Sequence, residues 1–198
     1  HGYPYHFKAN VYRQLGEFEK AKPLYEKSIE KRKGRSSEST AYLVSGHNYM
    51  FSGDLKTARE RYDKAIELQK EPNWKFVLSF YLTVSHIFDN DYYGALDNIN
   101  KVEEALSSYN FDDVSLVSRQ RDISWQKLVC YAHNQMEEEA YDALKNKISL
   151  DKKYAELLKD KNVTREAESG KVQETAWVNI LFGKYDDARK NLNDLKKF

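Results

Sequence analysis

The chain has 198 residues, of which 32 % are charged and 40 % are hydrophobic, and its formal net charge at pH 7 is +1. This balance excludes a strong electrostatic attraction to nucleic acid or to an anionic membrane, because both depend on clustered charge of one sign. No apolar run approaches the roughly 20 residues that a membrane-spanning helix needs. The single cysteine, Cys130, excludes an intrachain disulfide and favours a soluble protein of a reducing compartment such as the cytoplasm.

Helices are the predicted elements along the whole chain. Apolar residues recur at spacings of three and four, the period of an amphipathic helix, and there are only three prolines and eight glycines. Each of five predicted helices ends before a turn and is followed by a partner helix. In chain order these five first helices cover residues 5–14, 40–51, 75–88, 123–133 and 171–181.

A repeated pattern follows each turn. The stretch GEFEKAKPLYEKSIE (residues 16–30) has a close copy, GDLKTARERYDKAIE, 37 residues later at 53–67. Another step of 37 residues leads to Asn90, a further copy begins at Gly183, and a degraded one contains Ala140 and Leu144. In each copy a glycine or asparagine suits the left-handed conformation that ends a helix. The alanine five residues later is expected where two helix backbones approach each other.

An aromatic residue, a small residue and a second aromatic residue occupy matching positions in the first helices of the first two copies. They are Tyr5, Ala9, Tyr12, Tyr42, Gly46 and Tyr49. With this pattern the chain resembles the tetratricopeptide-repeat family, closely over residues 3–70 and more loosely over 71–198. The resemblance implies an all-α, right-handed superhelix (solenoid) of about five helix pairs in a single array. The pairs are expected at residues 2–35, 39–72, 76–107, 121–150 and 169–198, with irregular linkers at 107–120 and 151–169.

The resemblance also implies a binding groove, lined by the first helix of each pair. Counting from the turns, we assign ten residues to this groove: Phe7, Asn10, Leu43, His47, Val77, Phe80, Tyr81, Val84, Trp125 and Trp177. Members of the family that clamp a C-terminal carboxylate use lysine, asparagine and arginine at five such places. Here those places hold His6, Asn10, Val44, Val77 and Tyr81. Only Asn10 matches, and without cations nothing offsets the desolvation of a carboxylate, so a carboxylate clamp is not expected.

Two interpretations of this apolar wall remain open. In the first, the wall binds an apolar or aromatic segment of a partner, with Phe80, Tyr81 and Trp125 as anchors. In the second, the same side chains are already buried by tight winding of the helices, by the second linker or by another part of the protein.

Histidine and cysteine, which can bind metals or act in catalysis, are present but do not have the spacing of a known metal-binding or catalytic motif. The five histidines are His1, His6, His47, His86 and His133, and none belongs to an HExxH or ExxH motif. Cys130 precedes His133 by one turn, but helical packing explains a buried cysteine more simply than catalysis does. Glycine-rich phosphate loops are absent. We therefore expect neither catalysis nor a metal nor a cofactor in this segment.

The resulting hypothesis is a non-enzymatic scaffold that binds a protein or peptide segment. The alternative is an accessory or regulatory segment of a larger enzyme that packs on the catalytic domain. The chain begins with His1 rather than methionine, which favours a piece of a longer protein and therefore this alternative. A third hypothesis is self-association through the C-terminal repeat, where Leu192 and Leu195 would need cover.

Overall fold

The structure is a computed structural model that describes residues 2–196 in full and the backbone of Lys197. His1 therefore lies outside the described residues. The described part is all helical, without a strand. Its helices are α1 (Tyr3–Gln14), α2 (Phe18–Arg32), α3 (Glu38–Phe51), α4 (Leu55–Leu68), α5 (Pro72–Phe88), α6 (Tyr92–Leu106), α7 (Asp113–His133), α8 (Glu137–Leu158), α9 (Lys161–Leu181) and α10 (Tyr185–Asp194), followed by a 3-10 turn, Leu195–Lys197.

The chain divides into two compact units, with the boundary between Asn98 and Ile99 inside α6. In the N-terminal unit each helix from α1 to α4 packs on the next one in the chain. In the C-terminal unit the same sequential packing joins α7 to α8, α8 to α9, and α9 to α10. None of the described helices combines the length and the apolar composition that crossing a bilayer requires.

The turns within the helix pairs are equivalent. Gly16, Gly53, Asn90 and Gly183 all have the positive φ that the repeat pattern predicts, and Gln135 takes this role in the degraded copy. In all five turns the residue that follows donates its backbone N–H to the carbonyl five positions earlier, over 2.7 to 3.0 Å. This hydrogen bond satisfies a carbonyl that the end of the first helix would otherwise leave unpaired.

The alanine of the repeat pattern lies in the second helix of each pair. All five are buried: Ala21, Ala58, Ala95, Ala140 and Ala188. Four residues further on, Tyr25 and Tyr62 are fully buried in the cores of the first two repeats. Gly46 allows the Tyr62 ring to come so close that an added Cβ would lie only 2.6 Å from its Cε1 atom. The alanine and the tyrosine of the repeat pattern are therefore core residues in these two repeats.

The two segments for which the sequence predicts irregular linkers are mostly helical. Residues 113–120 begin α7, residues 151–158 end α8, and residues 161–169 begin α9. Asp112 and Asp160 cap α7 and α9 by accepting backbone N–H groups from Ser115 and Asn162. These residues lengthen α7, α8 and α9, because lysine and glutamate favour the exposed face of a helix.

We expect that substituting Gly53 by alanine lowers the free energy of unfolding by about 1 kcal/mol, because an L-residue is strained at its φ of +84°. The new methyl group would meet no atom within 4 Å, so the cost is conformational. The same substitution at Gly170, inside α9 and equally uncrowded, should raise stability by up to about 1 kcal/mol. Urea unfolding followed by circular dichroism measures both, and two effects of equal sign would contradict the turn geometry.

Candidate functional site

Two hydrogen bonds of the same kind join the first and second helices in the first two repeats. The Tyr25 hydroxyl donates to Oδ1 of Asn10 over 2.7 Å, and the Tyr62 hydroxyl lies 2.8 Å from Nδ1 of His47. In both pairs the partners are 15 residues apart. The second pair stands 37 residues after the first. Both tyrosine hydroxyls therefore reach the face on which the sequence predicts a groove.

The polar groups of Asn10 are already engaged by neighbours. Its oxygen accepts from Tyr25, and its Nδ2 lies 3.1 Å from Nε2 of His6. Arg13 donates from Nε to the Tyr25 hydroxyl over 3.3 Å. Asn10, the residue that matches the carboxylate-binding pattern, thus holds the first helix pair together and has little left to offer to a ligand.

Aromatic rings from α3, α4 and α5 pack together beside His47. The Tyr81 ring centroid lies 4.4 Å from that of His47 and 6.1 Å from that of Tyr62. Phe80 meets Tyr81 edge to face at 5.8 Å. We call these four residues (His47, Tyr62, Phe80 and Tyr81) the ring cluster. Tyr62 is fully buried and the other three are half-buried, so the cluster is part core and part surface.

Two histidines in or near the ring cluster, His47 and His6, are in the neutral form. Burial, followed by the positive charge of Arg13, lowers the pKa of His47 to about 4. The pKa of His6 is also lowered, first by burial and then by Arg32 and Arg13. Burial raises the pKa of Tyr62, so its phenol stays protonated. At neutral pH these three side chains are uncharged.

The other groove residues assigned in the N-terminal unit differ in their exposure. Leu43 is only 8 % exposed and belongs to the core formed with Tyr62 and Leu82, so it has no surface for a ligand. Val84 packs against the same core, and Val77 is half-buried. Phe7 is 63 % exposed on α1. Of the two interpretations of the wall, burial holds for Leu43, while Phe7 remains open to solvent.

In the C-terminal unit the two predicted tryptophans come together. The ring centroids of Trp125 on α7 and Trp177 on α9 are 5.7 Å apart. The ammonium group of Lys147, on α8 between them in the chain, lies 5.8 Å from the Trp125 ring, a cation–π geometry. Trp125 is 38 % exposed.

Beside the tryptophans lies an ionic cluster of Arg121, Lys147, Asp151 and Glu174. Lys147 contacts Asp151 at 2.7 Å and Glu174 at 2.6 Å, while Nε of Arg121 contacts Asp151 at 2.6 Å. Asp151 is almost fully buried, and its carboxylate is the anion that both Lys147 and Arg121 contact. Burial raises the pKa of Glu174, and Lys147 opposes that shift.

The ionic cluster is absent from the sequence-based assignment. Asp151 falls at the start of a segment predicted as linker, and its partner Arg121 is 30 residues away in the chain. The spacing of four between Lys147 and Asp151 on one helix was the feature of the sequence that could have indicated this ion pair.

The candidates for reactive chemistry have structural roles. Cys130 is fully buried, and burial raises the pKa of its thiol to about 12, which keeps it protonated and unreactive. His86 contacts Asp91 at 2.8 Å, and Asp91 in turn accepts the backbone N–H of Gly94. Within the described residues no group of three or more His, Cys, Asp or Glu side chains is placed to hold a metal ion.

Comparison with known proteins decides the identity of the first two helix pairs. The family model described as tetratricopeptide repeat matches residues 3–30 and 39–72. These two segments are tetratricopeptide repeats. They lie where the sequence resemblance is strongest, and they contain the Tyr25–Asn10 and Tyr62–His47 pairs. No curated protein matches the chain.

Solved structures with tetratricopeptide-like repeats share the fold of the whole chain. The putative kinesin light chain repeats of Podosopora anserina superpose with a TM-score of 0.72 at 15 % identity, covering 100 % of this chain and 95 % of theirs. MamA from Desulfovibrio magneticus RS-1 gives a TM-score of 0.65 at 16 % identity, with 99 % and 93 % covered. YrrB, a tetratricopeptide-repeat protein with an unusual peptide-binding site, gives 0.55 at 18 % identity, with 98 % and 84 % covered. The predicted all-α superhelical fold class is therefore confirmed.

We expect the stability of the protein to fall from pH 7 to pH 4 partly because of His47. Its folded-state pKa of about 4 lies below the ordinary value of 6.5, so the unfolded chain takes up the proton first, and stability present above pH 6.5 is lost as the pH falls. The loss should amount to up to about 3 kcal/mol. His47→Asn, which copies the Asn10–Tyr25 pair, removes this contribution. Urea unfolding at several pH values measures it, and parallel pH curves for both proteins would contradict the assignment.

Asp151→Asn should lower the free energy of unfolding by about 3 kcal/mol, because it leaves Arg121 and Lys147 without their shared anion in a buried setting. Lys152→Ala is the matched control on the same helix. Lys152 faces Glu156 at 3.9 Å with most of its side chain exposed, and such a surface pair contributes less than about 1 kcal/mol. Urea denaturation would compare the two, and losses of similar size would mean that the ionic cluster does not stabilise the unit.

Proposed function

We propose that the N-terminal unit binds an apolar or aromatic segment of a partner protein on the face formed by its first helices. The observation that carries the proposal is the pairing of Tyr25 with Asn10 and of Tyr62 with His47. These hydrogen bonds use the polar groups of the face internally, so the surface that remains beside them is formed largely by rings. Large aromatic side chains dominate the energetics of most protein interfaces.

The electrostatics of the face support an uncharged ligand segment. A bound carboxylate loses its hydration and needs cations in return. His6 and His47 are neutral at pH 7 because burial lowers the pKa of each. The cation Arg13 is engaged with the Tyr25 hydroxyl, and its guanidinium lies 5.7 Å from the Phe51 ring. An apolar or aromatic segment, by contrast, needs no charge partner.

The exposed parts of the face supply possible anchors. Phe80 and Tyr81 project from α5 beside His47, each with part of its ring accessible. Phe7 is largely exposed on α1 and lies parallel to Tyr3 at 6.4 Å. Peptide binding also has a precedent in this fold, since YrrB has a peptide-binding site.

Selection from a display library of random 12-residue peptides tests the proposal. We expect the full chain to enrich peptides with internal aromatic or aliphatic residues, and Phe80→Ala combined with Tyr81→Ala to raise the Kd of an enriched peptide at least tenfold. Tyr93→Ala is the matched control, because this ring is 71 % exposed on α6 and lies outside the ring cluster. Isothermal titration calorimetry measures the affinities.

A change in folding can be separated from a loss of binding. If the double variant loses its helical circular dichroism signal, Phe7→Ala supplies the test, because an exposed ring contributes little to stability. Enrichment of peptides that depend on a free C-terminal carboxylate would contradict the proposal. Failure to enrich any peptide would also contradict it and would favour the alternative, in which this face packs on another domain of a longer protein.

A further inference from the structure

A long trough runs along the helices α8 and α9 on the C-terminal unit. Its volume is about 710 Å³, and its lining residues come from both helices. Along α8 it extends from Lys145 to Lys159, a distance of about 21 Å at 1.5 Å per residue. The segment 151–169, which the sequence predicts as a linker, supplies most of its length because it continues both helices.

The floor of the trough is apolar. Ile148, Ala155 and Ala167 lie along it. Ala155 is buried, and Ile148 and Ala167 are half-buried. Small side chains allow the backbone of a bound helix to approach closely, and this close approach favours a helix over a bulky folded surface. The trough opens to solvent along its length, unlike the enclosed pocket of a small-molecule site.

The rim of the trough carries unpaired positive charge. Five lysines line it against three acidic residues. Among the acidic residues, Asp160 caps α9 and Glu156 faces Lys152 at 3.9 Å. In the described part of the chain Lys145, Lys159, Lys161 and Lys171 form no ion pair, so four ammonium groups are available to a ligand.

We propose that this trough binds an amphipathic helix of a partner protein, with its apolar side on Ala155 and Ala167 and its flanking carboxylates paired with Lys159, Lys161 and Lys171. The length of the trough matches about 14 helical residues. Lysines stand on both helices, so a bound helix would meet positive charge along both of its edges. This proposal concerns the C-terminal unit and none of the residues of the ring cluster. It can therefore fail while the proposed function of the N-terminal unit holds, and the reverse is also true.

A polyanion fits the trough less well than an acidic helix. Nucleic acid requires a continuous basic surface for its phosphates, whereas Glu156 and Glu168 line the same trough. The apolar floor would also remain uncovered beneath a phosphate backbone. An amphipathic helix with acidic edges would place apolar side chains on the floor and carboxylates beside the lysines of the rim.

The test uses a display library of 14-residue helices that share a leucine stripe and carry Glu, Gln or Lys at the flanking positions. We expect the full chain to enrich helices with glutamate on both flanks. The enriched peptide, labelled with a fluorophore, should bind with a Kd that rises with salt in fluorescence anisotropy. Lys161→Glu combined with Lys171→Glu should raise that Kd at least tenfold, and Ala167→Gln, which adds volume to the floor, at least threefold.

Lys153→Glu combined with Lys196→Glu is the matched control. Both lysines are exposed in the same unit and do not line the trough, so the Kd should stay within twofold of that of the unchanged chain. Thermal unfolding confirms that all variants remain folded. The proposal is overturned if enriched flanks are not acidic, if nothing is enriched, or if the control weakens binding as much as the trough variant. Binding to phosphatidylserine vesicles without peptide binding would also overturn it and assign the trough to a lipid surface.

Discussion

The close approach of the two helices in each repeat governs the rest of the structure. It occurs where the second helix carries a buried alanine, such as Ala21 or Ala58. A larger side chain at that place would separate the backbones and withdraw the tyrosine that follows four residues later. Since Tyr25 and Tyr62 are held deep in the pair, their hydroxyls reach the first helix at Asn10 and His47. The packing of the pair therefore also sets the polarity of the candidate binding face.

The two units satisfy the polar groups of their first helices in different ways. In the N-terminal unit uncharged hydrogen bonds with tyrosines satisfy these groups, and burial keeps the histidines uncharged. In the last helix pair of the C-terminal unit the place that corresponds to Asn10 and His47 holds Trp177, and an ionic cluster around Asp151 lies nearby. Buried ion pairs repay their desolvation only with good geometry, and Asp151 meets this condition by accepting from two cations at once. The aromatic residues that line the two units thus stand in different electrostatic surroundings.

The long helices α8 and α9 together form the trough. Lys159, with a φ of +54°, ends α8, and Asp160 then caps α9, so the chain reverses within two residues. Both helices run far beyond the length of α1 to α4. The additional turns carry lysine and glutamate on their exposed sides, which suits a helix in water. Between them lies the trough, which among the described residues is lined only by these two helices and the turn that joins them.

Features that depend on neighbours within one or two helical turns could be read directly from the amino acids. The helices follow from the spacing of apolar residues, and the turns at Gly16, Gly53, Asn90 and Gly183 follow from residues that tolerate a positive φ. The first two repeats were recognised correctly for the same reason. The helical conformation of residues 151–158 and 161–169 did not follow from the sequence alone, because a run of charged residues is compatible both with a loop and with a solvated helix. Packing decided all features that join residues far apart in the chain. The burial of Leu43 depends on Leu82, and the ionic cluster depends on the contact between Arg121 and Asp151. The low pKa of His47 depends on its burial and then on the charge of Arg13. A linear pattern contains each of these residues but not the distance between them, and burial, pKa and ion pairing all depend on that distance.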